Sequence, residues 1–487
     1  MLTVQEIKTF IDADAASIKK KLAKIGDDYY NAEHDIKQYR VFYVDANGKL
    51  QEDETKSNIK ISHAFFTENV NQTVQYLLSG EDKYIRSDIP ELQTHLDEYF
   101  NENEDFIAEF NDVLTGTVSK GFENMYAYKN EEGRTSFACA DSIGVVEVKA
   151  KETEDHCEYI IRHYVDGISK DNKIIRRIEV WDAAQTYYYC QEGTGDIVLD
   201  TSVEINPRPH TIYKKGDDEN TYFEGYGFIP FFRLDNNKKQ VSGLKPIKDL
   251  IDDYDLMSCG LSNNIQDTNE ALYVIKGYDG DNLDELYMNI KAKKHIGVGE
   301  DGDVEIRTVD IPVEARETKM RVDKENIYHF GMAVDTAGLK DSGATVSVAV
   351  KSAYANLDMK CYLLEIKVKQ FLRKLLKVVL AEINEVEETD YKQKDIYFKF
   401  NPEIPTNALE NAQIELIDAQ RKQTEINTLL NLAARLDNET LMQLICEQLD
   451  VDYDEIKDKL PDPEDNDPYQ AKTALEGVVP EDGGIVE

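Results

Sequence analysis

Positive charge is what this 487-residue chain is short of: 56 Lys and Arg stand against 95 Asp and Glu, a formal net charge of −39. A surface that grips nucleic acid by neutralising phosphates needs a basic patch or stripe. Any meeting with DNA is therefore expected to be local, or made without holding on. Paired cysteines are missing too. Cys139, Cys157, Cys190, Cys259, Cys361 and Cys446 are scattered with no Cys-x-x-Cys, so a zinc site or disulfide framework has little support and reduced thiols in a cytosolic chain fit better. The N-terminal Met-Leu-Thr-Val-Gln-Glu-Ile-Lys has no apolar h-region, and no secretory signal is expected. The most apolar stretch, Phe371–Ile383, is broken by Arg373, Lys374, Lys377 and Glu382, whereas a membrane span needs ~20 mostly apolar residues. No His-Glu-x-x-His, no Gly-x-Ser-x-Gly and no solenoid-period repeat occurs. Apolar residues still make up 41% and aromatics 9%, enough for cores in roughly two to four domains.

The motif-like segments favour plain structural roles. Gly297-Val298-Gly299-Glu300-Asp301-Gly302 matches G-x-G-x-x-G, but a strand-like segment follows it and two carboxylates would repel a pyrophosphate. A hairpin turn is the better expectation. Asp279–Asp284 hints at a calcium loop yet lacks the Gly at its sixth position and the Glu at its twelfth. His63 lies beside two phenylalanines and reads as a structural histidine. Glu102, Glu104 and Asp105 could in principle hold Mg²⁺, although chance acidic clusters are expected in so acidic a chain. No catalytic residue, metal site or cofactor is assigned.

Along the chain, the first 130 residues read mostly helical, with a polar loop over Asp45–Lys56 and an amphipathic helix stopping at Gly80. From Gly121 to Tyr226, β-branched and aromatic runs between turn residues predict an antiparallel β region. Helix is expected to return after Pro230. Ile247, Leu250, Ile251, Tyr254, Met257, Leu261 and Ile265 form one helical stripe. Short strands are expected over Tyr273–Pro312, then a helix from Val313 to Phe330 and a glycine-bounded loop. Val346–Glu385 gives the longest helical signal, ~60 Å at 1.5 Å per residue. Between Lys351 and Lys377 seven basic residues face two acidic ones. Such a helix either meets an acidic neighbour, a subunit or nucleic acid, or is matched by acidic helices of its own chain. Lys291, Lys293 and Lys294 form a second cluster with the same ambiguity. Residues 408–460 read helical, and the last 27 form a proline-containing acidic tail expected to be disordered.

The order and spacing of several segments resemble the SPP1-type portal proteins of tailed bacteriophages. They are Tyr29-Tyr30 through His34-Asp35-Ile36, Asn58-Ile59-Lys60 running to Gly80, Tyr226-Gly227-Phe228-Ile229-Pro230-Phe231, Leu244-Lys245-Pro246 through Asp252, Asn263–Asp267, and Ser342-Gly343 followed by Tyr354–Lys360. The resemblance implies an α+β, mainly helical portal fold. It divides into a wing (1–240), a first stem helix (241–272), a small β-rich clip (273–312), a second stem helix (313–333) and a tunnel loop (334–346). A long wing helix with its return follows (347–400), then a helical crown (401–460) and the acidic tail (461–487).

The implied function is a homo-oligomeric ring, typically of twelve subunits, at one capsid vertex. It passes double-stranded DNA without reading sequence and docks terminase, then head-completion or adaptor proteins, beside the major capsid and scaffold proteins. The resemblance places it in the virion, and in host cytoplasm during assembly, with no membrane and no enzymatic activity. Asp335, Gly338, Leu339, Lys340, Asp341, Ser342 and Gly343 would form the tunnel loop, Lys351, Lys360 and Lys367 basic contacts, and Lys291, Lys293 and Lys294 clip contacts to partners. The alternatives are a metal-dependent phage DNA-processing enzyme and an acidic helical scaffold without a channel.

Overall fold

The computed structural model describes residues 1–45, 47–54, 56–80, 83–130, 133–149, 157–213, 222–267, 272–276, 303–307, 312–337, 347–400, 402, 408–431 and 438–448. It divides into two compact units, Met1–Ile404 and Pro405–Glu487. The first unit contains helices α1 (Val4–Ala16), α2 (Ile18–Tyr30), α3 (Phe65–Leu78), α4 (Pro90–Leu96), α5 (Glu104–Lys120), α6 (Lys248–Asp267), α7 (Val313–Gly331) and α8 (Ser347–Val386).

Local chemistry sets their ends. Thr3 and Glu6 make a capping box on α1, and Ser17 ends α1 while accepting the Lys20 N–H of α2. Gly121 stops α5 at φ 98°, and the Gln240 carbonyl comes so close that a side chain there has no room. Ser79, not Gly80, closes α3, its hydroxyl donating to the Tyr76 carbonyl at 2.9 Å.

The main core forms around α8. Leu357, Leu364, Val368, Phe371, Leu375, Val379 and Ile383 recur at steps of three, four and seven residues and are all buried, one stripe along the helix. They pack in one cluster with Phe66, Val70, Val74 and Leu77 of α3 and Phe106, Phe110, Val113 and Leu114 of α5. At 40 residues α8 is ~60 Å long.

The expected β region is antiparallel. A six-stranded sheet is built on the path Val145–Val148, Tyr159–Ile168, Ile174–Trp181, Gln185–Glu192 and Val198–Leu199, with Arg208–Pro209 also paired to Gln185–Glu192. Ile7 of α1 joins Val146, Ile161, Ile178 and Val180 on its buried face. Two expectations need correction. Helix does not return directly after Pro230, because Phe231–Asp235 pairs with Phe122–Tyr126 and its alternation buries Phe232 and Leu234. The loop over 45–56 is also part of a hairpin, Phe42–Val44 against Leu50–Glu52. Its turn is held by Asp45, whose carboxylate accepts the N–H groups of Asn47 (2.8 Å) and Lys49 (2.9 Å).

Helices α6 and α7 run antiparallel: Lys319 bonds Asp253, and the Arg316 guanidinium donates to the Met257 carbonyl at 3.4 Å. Strands Leu272–Lys276 and Asp303–Arg307 continue the pair as an antiparallel ribbon, in register from Leu272–Arg307 to Lys276–Asp303. The second unit contains α9 (Ala408–Asn431) and α10 (Asn438–Gln448), helical as expected. The acidic tail, the G-x-G-x-x-G match and the calcium-like loop lie outside the described residues.

Candidate channel-forming segment

Helix α6 is fixed to the rest of its unit by a ladder. The extended segment 57–63 runs along it, and alternate backbone N–H groups donate to α6 side chains one turn apart. Ser57 donates to Asp267 (3.1 Å), Ile59 to Asn263 (2.7 Å), Ile61 to Cys259 Sγ (3.2 Å) and His63 to Asp255 (3.1 Å). The match is geometric. Two extended residues advance ~6.5 Å and four helical residues ~6 Å, so the two repeats stay in step over four rungs.

The last rung is the most buried. Asp255 is fully buried, and its two oxygens receive Nδ1 of His34 (2.6 Å) and Nδ1 of His63 (2.7 Å). A carboxylate only accepts, so both rings donate through Nδ1. Burial would push the Asp255 carboxyl up, but the hydrogen bonds and charge of the two histidines outweigh it and hold it below the usual carboxylate range. Tyr29 stacks on His34 at 4.4 Å and bonds Asp252, while Lys248 reaches Asp35 (2.6 Å) and Asp252 (2.7 Å). His63 is thus the structural histidine expected from the sequence, but its decisive partner is a carboxylate on α6.

The segment after α7 is held as firmly. The helix ends in a Schellman turn, with Met332 left-handed at φ 53° and the Ala333 N–H on the Tyr328 carbonyl at 3.0 Å. Gln72 of α3 then grips Val334 twice, accepting its N–H (2.9 Å) and donating to its carbonyl (2.8 Å). Asn69 donates to the Gly331 carbonyl at 3.0 Å, and Asp335 pairs with Lys324 at 2.9 Å.

Of the residues singled out in the sequence, Asp335 stands at the start of the expected tunnel loop. Gly338, Leu339, Lys340, Asp341, Ser342 and Gly343 lie outside the described residues, as do Lys291, Lys293 and Lys294. Lys351 falls within α8, and Lys367 is half-buried on that helix. Lys360 differs from expectation. Its ammonium points inward, donating to Asn69 Oδ1 (2.5 Å) and the Gly331 carbonyl (3.0 Å), and burial pulls its pKa down to about 8. It braces the end of α7, sharing the Gly331 carbonyl with Asn69, and its ammonium is taken up by these acceptors. Glu102 pairs with Lys83 at 2.9 Å, and Glu104 and Asp105 sit in the first turn of α5, where the helix dipole favours carboxylates. Sequence reasoning gave no role to Asp255, Cys259, Asn69 or Gln72. The four-residue spacing of Asp255, Cys259, Asn263 and Asp267 was the available signal.

These polar contacts lock a helix pair and the chain leaving it onto the rest of the first unit. The chain belongs to the family of SPP1 Gp6-like phage portal proteins, whose model matches residues 10–453. It is similar to the portal protein of Bacillus phage SPP1, 31% identical over 385 residues that cover 76% of this chain and 73% of that one. It also matches the portal protein of Clostridium phage phiCD119 at 22% identity over 424 residues, 85% of this chain and 89% of the other. Among solved structures, the neck of a native GTA particle computed with C12 symmetry is similar at 13% identity and a TM-score of 0.37, covering 78% of this chain and 90% of that chain.

Proposed function

We infer that copies of this chain assemble side by side into a ring at one capsid vertex, through which double-stranded DNA enters and leaves. The stem is assigned to α6 and α7, the clip to the ribbon and residues between its strands, and the constriction to residues 334–346. The observation that carries this assignment is the antiparallel helix pair, with a β ribbon between its two helices in sequence and with α6 held along its length by the 57–63 ladder. Burial supports it. Ile247, Ile251, Ile327 and Tyr328 are buried near the body, whereas Leu256, Ile265, Val313 and Val322 are exposed further along.

The charge fits a conduit. Together α6 and α7 carry nine carboxylates against five Lys and Arg, so the pair lacks the basic excess that would make a passing duplex stick. Terminase and head-completion proteins are the partners proposed for the clip, and capsid and scaffold proteins for the surrounding body. Negative-stain imaging of the purified chain is expected to show closed rings with a central hole. Incubation with Mg²⁺ or Mn²⁺ is expected to leave plasmid DNA uncut. A strictly monomeric species at high concentration in several salts, or metal-dependent cleavage, overturns the assignment.

A further inference from the structure

Two exposed apolar patches of the first unit have complementary chemistry. The first is on α8. Met359, Tyr362, Leu363 and Ile366 are 54%, 62%, 60% and 40% exposed. Their spacing of three and four residues keeps them within an arc of about 100°, opposite the stripe that faces the core. Arg373, Lys374 and Lys377 prolong the same exposed face. The helix therefore presents an apolar half followed by a basic half. The nearby Glu365 is turned aside, paired with Lys369 at 2.5 Å on its own helix.

The second patch is the hairpin Phe42–Val44/Leu50–Glu52. The pairings Val44–Leu50 and Phe42–Glu52 and the alternation of strands put Phe42, Val44 and Leu50 on one face, 52%, 66% and 67% exposed, with Glu52 at its end. From Arg40 to Glu54 the described residues include four carboxylates against Arg40 and Lys49, with Glu52 paired to Arg40 at 3.3 Å and the Asp45 carboxylate held in its turn, which leaves a net acidic arm. All six strand residues are exposed. An isolated two-stranded hairpin is marginal in water, yet the Asp45 turn holds this one in a defined shape. It is an arm with an apolar face and acidic flanks.

We propose that the hairpin of one copy docks on the Met359–Ile366 face of the next copy in the ring. The occupant is a second copy of this chain because the two patches are opposite in charge and both stay exposed in the single chain, so neither covers the other there. A patch that meets a different patch on its neighbour is a heterologous contact, the kind that builds a ring when its rotation closes and an open filament when it does not. In this proposal the exposed end of the basic helix is met by carboxylates of another subunit, while Lys369 is matched by Glu365 of its own helix. The inference rests on the ring assignment and adds which faces meet.

The test uses the full chain. Leu363→Asp and Val44→Asp alter exposed residues, so the melting of the protomer is expected to stay unchanged. Each is expected to raise at least tenfold the protomer concentration needed for half-assembly. A variant carrying Val44→Cys with Leu363→Cys, treated with a short bis-maleimide, is expected to give a covalent ladder up to the closed ring. Either cysteine alone is expected to give none, and the unsubstituted chain serves as the control for its native thiols. Rings that form normally in both Asp variants, or rings visible by microscopy that yield no ladder, overturn the docking while leaving the ring intact. An unsubstituted chain that never forms rings overturns both.

Discussion

Asp255 concentrates the electrostatics of the stem anchor in a single side chain. A buried carboxylate is tolerated only when its lone pairs are filled, and here two imidazoles and a backbone N–H fill them. In Asp255→Asn the amide nitrogen faces one of the histidine donors, leaving that group buried and unpaired. We expect a loss of about 2–3 kcal/mol, read by chemical denaturation under conditions that keep the chain monomeric. The pH dependence gives an independent check. Because the folded carboxyl is held below its unfolded value, its stabilisation is present above about pH 4 and fades as pH falls further. The Asn variant should therefore lose less stability than the parent over that acidic range. An equal acid slope in both proteins would remove the carboxylate from the account.

At the scale of elements, the ladder between residues 57–63 and α6 is the contact that sequence periodicity could not find. The apolar stripe from Ile247 to Ile265 located the helix, since hydrophobic recurrence at 3.6 residues is a local property. The β region and α8 were legible for the same reason. The partner of the polar stripe was not, because a strand lying along a helix has no characteristic hydrophobic period, and only pairing in space reveals it. Asn58-Ile59-Lys60 and Asn263–Asp267 both resemble portal segments, but nothing in their sequences shows that they touch. The hairpin at 42–52 was missed because Leu50–Glu52 is short, charged around its edges and buried nowhere. Each rung is a neutral or charge-assisted hydrogen bond, so Asn263→Ala should cost about 0.5–1.5 kcal/mol in thermal or chemical unfolding. Gln266→Ala, on the exposed side of the same helix turn, should stay within about 0.5 kcal/mol. Equal effects at the two positions would mean that the ladder contributes nothing beyond helix propensity.

For the whole molecule, the question is how a chain of net charge −39 handles a polyanion. Repulsion between exposed charges is screened beyond about 8 Å at physiological ionic strength, so only the narrowest part of a channel brings protein and phosphate within effective range. In the proposed ring that part is the segment following Asp335. Its N-terminal end is fixed by Gln72, Asn69 and Lys360, and its C-terminal end enters α8 at Ser347. In sequence Gly338 and Gly343 lie between those ends, where glycine accepts backbone conformations closed to other residues at little steric cost, which suits the constriction proposed there. Lys340 is the one cation between those ends, Asp335 and Ser347. Lys340→Ala, or removal of residues between Gly338 and Gly343, should therefore leave ring formation unchanged while lowering the DNA packaged or retained several-fold. Packaging assays beside ring imaging separate the two effects. Normal packaging by both variants would move the constriction to another part of the chain, whereas loss of rings would make these residues part of the subunit contact.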